Sequence, residues 1–174
     1  MAKNNFSKKC IADALIELLE VKPLNDITIQ DIADKSGYTR VTYYRHFNSL
    51  EEVISFYLDS YADDYLYENP MDFDSLTPRD FITRFFYHFL EPKAKAIVEI
   101  IKKQHLLYLM KKNFDKYMLL SQKNGRPTYG YLFVAGGLFN VYAKWVEGGY
   151  KESPEELADM FIEFFRLNHP INDN

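Results

Sequence analysis

Cysteine is almost missing from this chain of 174 residues: Cys10 stands alone, so no disulfide can form within it. A single thiol fits a reducing compartment, and a cytoplasmic protein is expected. Cys10 itself reads as a small buried hydrophobe on a first helix. Glycine and proline are scarce, seven of each, and nearly all fall where a helix should begin or end. Period-2 alternation is absent, and so are Asn-Gly turns between alternating runs, which excludes a β fold and leaves an all-α reading. No apolar run approaches the roughly 18 residues of a membrane span, and the opening MAKNNFSKKC has no signal-peptide apolar region, so no membrane partner is expected. The four histidines, His46, His88, His105 and His169, are widely separated, which argues against a metal site. VAGGLF lacks the Gly-Lys-Ser/Thr ending of a phosphate loop and sits inside an apolar helix. No nucleophile, base and orienting group fall together. The chain reads as a non-enzyme without a cofactor.

An excess of positive charge is missing too. The net charge is −4, yet its distribution is uneven. Residues 1–50 hold seven Lys/Arg and six Asp/Glu, whereas residues 51–174 hold fourteen and nineteen. Only the first third is a candidate for a phosphate-facing surface, and it is weakly basic. What the chain does have is apolar material: 47% hydrophobic and 17% aromatic residues, ample for a packed core. Disorder is expected at the first few residues and in the polar tail INDN, and nowhere else.

Helical spacing recurs along the chain. SKKCIADALIELLE places Ile11, Ala14, Leu15, Leu18 and Leu19 on one face, with Asp13, Glu17 and Glu20 on others. VKPLND breaks it. Thr28 can cap a short helix IQDIADKS that ends at Gly37, and TRVTYYRHF follows as a third helix. Ser49 with Glu52 reads as a capping box opening LEEVISFYLDSYADDYLYE. After the loop ENPMDFDSLT, Thr77 and Pro78 start a further helix, followed by PKAKAIVEIIKKQ and LLYLMKKNFDKYMLLSQ. KNGRPT is a turn before the apolar helix TYGYLFVAGGLFNVYAKWVE, which Gly148 and Gly149 stop. Ser153, Pro154 and Glu156 restart a last helix that runs to the break at His169–Pro170.

Two short helices joined by a glycine turn, with a third packed before them, form a helix-turn-helix arrangement. Ile32 and Ala33 should face inward, Tyr38 should enter the core after the turn, and Tyr43 and Phe47 should pin the third helix to the first. Thr39, Arg40, Thr42, Tyr44 and Arg45 are left at the helix start or on its other faces. Arg can bond guanine bidentately and Thr can offer hydroxyl and methyl to base edges, while Tyr, His and helix-terminal amides suit phosphate oxygens. The same stretch also fits an ordinary solvated amphipathic helix.

ITIQDIADKSGYTRVTYYRHFNSLEEVI resembles the N-terminal DNA-binding domain of the TetR/AcrR family of bacterial regulators, over roughly residues 8–55. FVAGGLFNVYAKWVEGGYKESPEELADMF is similar to the C-terminal region of some members. The resemblance implies a helix-turn-helix domain over residues 1–48 and a helical effector-binding and dimerisation domain over 49–174, linked by helix 49–67, with about nine helices in all. It places Thr28 and Gln30 at phosphates, Thr39, Arg40 and Thr42 in the base- and backbone-reading part of the third helix, and Tyr44 and His46 at its phosphate-contacting end. Two positions depart from the family pattern. Leu50 stands where a phosphate-binding lysine is frequent, so that contact is lost or supplied by Lys3, Lys8 or Lys9, and Val41 replaces a frequent glycine.

The resemblance further implies a homodimer, a small-molecule effector and a double-stranded DNA operator. Phe133, Gly136, Gly137, Asn140 and Trp145, with Met160, Phe161, Phe164 and Phe165, exceed the needs of one helix face, and a four-helix dimer interface is preferred to a purely internal core. Residues 81–120 are rich in aromatics that serve either as core or as the wall of an effector cavity. His88, His105, Tyr108 and Tyr117 are its polar candidates. The resulting expectation is a ligand-responsive repressor bound as a homodimer to a near-palindromic operator. The alternative is a coactivator or partner subunit of another regulator, with little DNA affinity of its own.

Overall fold

Nine α-helices and no strand make up the described residues. The computed structural model describes residues 2–70, 76–120 and 128–168, without the side chains of 2–4, 117–120, 128, 131, 167 and 168. Outside that description lie residues 71–75 of the expected loop, 123–127 of the expected turn, the break at His169–Pro170 and the tail INDN. The chain divides into two compact units, one formed by Met1–Pro70 with Ile97–Tyr117, the other by Met71–Ala96 with Met118–Asn174.

In the first unit, α1 (Ala2–Val21) packs against α2 (Ile29–Ser36), α3 (Arg40–His46) and α4 (Leu50–Glu68). Its inward face is Ile11, Ala12, Ala14, Leu15, Ile16 and Leu19, all buried, with Leu18 half-buried and Asp13, Glu17 and Glu20 exposed. Cys10 is half-buried on the same helix. Each short helix is delimited by its caps. Thr28 forms a reciprocal box with Asp31: its Oγ1 accepts the Asp31 N–H at 3.1 Å, and its own N–H reaches Asp31 Oδ2 at 2.8 Å. Gly37 ends α2 at φ +73°, a left-handed conformation that is open to glycine at little cost. At α4 the box is displaced by one residue. Ser49 Oγ accepts the Glu52 N–H as expected, but the Glu52 carboxylate takes the N–H of Asn48 rather than that of Ser49. The last part of α6 (Pro92–Lys103) and α7 (Leu107–Leu120) complete this unit, burying Ile97, Val98, Ile101, Leu106, Met110 and Phe114. Asn113 and Lys116 on α7 both hold Asp59 of α4, at 2.7 and 3.1 Å.

The second unit rests on α5 (Pro78–His88) packed against α9 (Pro154–Asn168). Thr77 caps α5 and Ser153 caps α9, the latter in a full box with Glu156. Arg79 holds Asp159 through two nitrogens, at 2.6 and 3.1 Å. From α8 (Thr128–Glu147), Tyr142 packs at a tilt against Phe89 and Trp145 meets Phe86 edge-on, with centroids 4.4 and 5.2 Å apart. Trp145 is therefore core, and its Nε1–H donates to the Glu152 carbonyl at 2.8 Å.

Candidate nucleic-acid interface

Helix α3 is two-faced. Tyr43 and Phe47 are buried against the unit's interior, their rings 6.0 Å apart, and Phe47 also meets Phe56 of α4 at 5.6 Å. Arg40, Val41, Tyr44 and Arg45 are exposed. Thr39 sits just ahead of the helix as its N-cap: its Oγ1 accepts the Thr42 N–H at 3.2 Å, and the two hydroxyls are 3.0 Å apart. The side chains of Thr39 and Thr42 are thus held as a pair beside Arg40, whose guanidinium has no partner among the described residues. Tyr38 is half-buried behind the turn. Tyr43 enters the core as its spacing with Phe47 implies, but it carries a polar group there. Its hydroxyl is buried with no hydrogen-bond partner among the described residues, and burial, then the Tyr44, Glu52 and Glu51 charges, push its pKa up to about 12.

At the start of α2, Thr28 gives both its N–H and its hydroxyl proton to Asp31. Lys22 closes on the same carboxylate at 2.9 Å. The Thr28 N–H, then Lys22 and the Thr28 hydroxyl, hold the Asp31 carboxyl down at about 2. Gln30 donates one N–H to Asp34 at 2.7 Å. His46, at the far end of α3, shares a 2.9 Å hydrogen bond with Ser7 Oγ through Nε2. Burial, with the Lys8 and Arg45 charges, lowers its pKa, so the ring is neutral near pH 7 and tied to α1.

The basic residues of this unit are largely engaged. Lys9 pairs with Asp64 at 3.0 Å, Lys22 with Asp31, and Lys35 with Glu17 at 2.6 Å. Lys8 lies over the Phe47 and Phe56 rings, 5.7 and 5.5 Å from their centroids, next to His46 and Glu52. On the outer face of α3, Arg40 and Arg45 have no acidic partner among the described residues, and Lys8 lies behind the helix end beside Glu52.

Residues 11–55, from α1 into the first turns of α4, match the family described as bacterial regulatory proteins of the tetR family. Residues 84–167 match the one described as a transcriptional regulator C-terminal region. The chain belongs to the TetR family. No curated protein is similar enough to the chain to be matched. A TetR-family chain carrying both regions is a DNA-binding transcriptional regulator, and such regulators are generally not enzymes. No helix among the described residues is long and apolar enough to cross a membrane.

Against the TetR-family pattern, Leu50 is half-buried as the first residue of α4. Of the lysines that could stand in for it, the Lys3 side chain lies outside the described residues, Lys9 is paired with Asp64, and Lys8 sits beside the α3–α4 junction. The polar residues expected to line an effector cavity divide between the two units. His105 and Tyr108 are exposed and line one open groove of about 450 Å³ with Leu24, Lys103 and Gln104. His88 is placed elsewhere, at the end of α5 beside Phe89, where burial pushes its pKa down to about 4. The Tyr117 side chain lies outside the described residues.

The interface candidates divide by exposure. Phe133 and Phe164 are 66% and 60% exposed, Phe165 and Asn140 are exposed, and Gly136 and Phe161 are half-buried. A Cβ built on Gly136 or Gly137 would meet nothing within 4 Å. Gln104 and Ser7 were not legible in the sequence as contributors to the packing of the first unit. Gln104 bonds residues 80 or more positions away and Ser7 bonds one 39 away, and no local pattern reports such pairings.

Proposed function

We propose that this TetR-family chain is a ligand-responsive repressor that binds a near-palindromic operator as a homodimer. The observation that carries the reading is the division of α3. Tyr43 and Phe47 anchor one face, so Arg40 is presented from the helix start next to the paired Thr39 and Thr42, with Tyr44 one turn further on. Such a helix can enter a major groove N-terminus first. Arg40 and Thr42 would read base edges, and Thr39, Tyr44 and His46 would meet phosphates. At α2, Gln30 keeps a second side-chain N–H for a phosphate, whereas Thr28 would have to release Asp31 to donate its own hydroxyl.

Dimerisation is supported by the apolar side chains that α8 and α9 leave uncovered: Tyr129, Leu132 and Phe133 on one, Met160, Phe164 and Phe165 on the other. Large exposed aromatics of this kind mark association surfaces. The open space at Gly136 and Gly137 would admit a second helix closely. The effector would bind among the helices after α4 and shift the α4 angle, and with it the separation of the two recognition helices. It must prefer the DNA-incompetent state, since a ligand binding both states equally shifts nothing.

One observation favours a second reading, a partner subunit with little DNA affinity: Lys9, Lys22 and Lys35 are all internally paired and Leu50 is apolar. Affinity for duplex DNA measured against salt separates the two. A DNA reader loses affinity steeply as salt rises, with a slope set by the phosphates it neutralises, and a weak, nearly salt-independent affinity would favour the partner subunit.

A further inference from the structure

Helix α1 ends without a left-handed residue to close it; among the described residues positive φ occurs only at Gly37, His105, Gly149 and Tyr150. Its terminal carbonyls need donors. They are served from a point more than 80 residues along the chain. Gln104, just past the end of α6, donates from Nε2 to the Leu19 carbonyl at 2.9 Å and to the Lys22 carbonyl at 3.2 Å, while its Oε1 accepts the N–H of Leu24 at 3.1 Å. Lys103 reaches the Glu20 carbonyl at 3.4 Å. The amide uses both of its N–H groups and its oxygen, which determines which end faces which partner. The corner that carries it is a Schellman turn closing α6: His105 takes φ +58°, and Leu106 N–H bonds the Ile101 carbonyl at 2.9 Å.

Lys22 to Thr28 is the linker that seats α2. Leu24 opens its 3-10 turn, Ile27 is buried, Thr28 caps α2 through Asp31, and Lys22 grips that same Asp31. We propose that Gln104 is a positioning residue for DNA recognition: by pinning Lys22 and Leu24 to the α6–α7 corner it sets the start of α2, and through Gly37 the aim of α3. The proposal rests on the reading that α3 binds DNA. The groove beside Gln104 is open and lined by Lys22 and Leu24, so water can take over the Lys22 carbonyl and the Leu24 N–H when the amide is removed. Its loss therefore frees the linker without unfolding the unit.

Two variants separate the parts of the clip. Gln104→Lys retains a donor for the α1 carbonyls and loses the acceptor for Leu24. Gln104→Met keeps the length and loses both. Each is measured for hydrogen exchange at the Leu24 amide, for thermal midpoint, and for affinity toward the duplex that the wild-type chain enriches from a random-sequence pool. Both variants should expose Leu24 to exchange and bind that duplex about tenfold more weakly, the order of one or two lost hydrogen bonds. Gln104→Lys should do so with a thermal midpoint near that of the wild type. Wild-type affinity in Gln104→Lys despite free exchange at Leu24 would overturn the proposal, as would binding losses that merely track thermal midpoint across the two variants. A wild-type chain that enriches no duplex overturns the DNA-reading function itself, and the positioning role with it.

Discussion

Arg40 is the residue on which base selectivity should depend most. It is exposed, without an acidic partner among the described residues, and one position after the Thr39 cap. Arg40→Ala should relax preference at one position of each half-site and weaken binding by about 1–3 kcal/mol, which competition against single-base variants of the site would show. Tyr43 makes a different prediction. Its ring contributes roughly 2 kcal/mol by burial, while its unpartnered hydroxyl sets a cost of about 1–3 kcal/mol against that. Tyr43→Phe keeps the ring and removes the hydroxyl, so the thermal midpoint should rise; a fall would mean that the hydroxyl has a partner in solution. Asp31 links the α2 cap to pH. Its carboxyl sits at about 2 in the folded chain against an ordinary value of 3.8, so folding favours the charged form. That contribution is present above pH 3.8 and is lost as pH falls from there to about 2. Asp31→Asn should flatten this part of the acid-unfolding curve followed by circular dichroism, and superimposable acid limbs would contradict it.

Helix boundaries were the most legible feature of the sequence, because caps and breakers act within a few residues. Thr28, Gly37, Thr77 and Ser153 each do in the structure what their local chemistry implies. Ser49 shows the limit of that reading: its box partner Glu52 turns one residue further back, to Asn48, a choice set by loop geometry rather than by residue type. Tyr43 and Phe47 were placed in the core by their four-residue spacing, whereas the Ser7–His46 bond joins residues too far apart in sequence for spacing to report. The start of α4 carries the clearest departure from the family. Leu50 offers no charge beside the α3–α4 junction, and Lys8 rests on aromatic rings there instead. Leu50→Lys should tighten DNA binding and steepen its salt dependence by about one phosphate equivalent. An unchanged slope would show that the DNA backbone does not pass this helix terminus.

For the whole molecule, the proposed homodimer would be held by the exposed α8 and α9 aromatics. Phe164 is 60% exposed, and a carboxylate in its place would be tolerated by a lone chain but buried without a partner charge in a dimer. Phe164→Glu should therefore sediment as a folded monomer and lose affinity for a two-half-site duplex while retaining helical content. If it sediments as the wild type does, the interface lies elsewhere. The residues of the proposed effector site were the least legible from the sequence. His88, His105 and Tyr108 share a crowded aromatic sequence, but α5 carries the first and the α6–α7 corner the other two, so composition alone could not say which side chains meet. The central claim, that the exposed face of α3 reads DNA, is tested most directly by selecting bound duplexes from a random-sequence pool. Two related half-sites in inverted orientation should be enriched, one or more helical turns of roughly 10 base pairs apart, and the motif should be lost when the selection is repeated with Arg40→Ala. A wild-type pool no different from its input would contradict it.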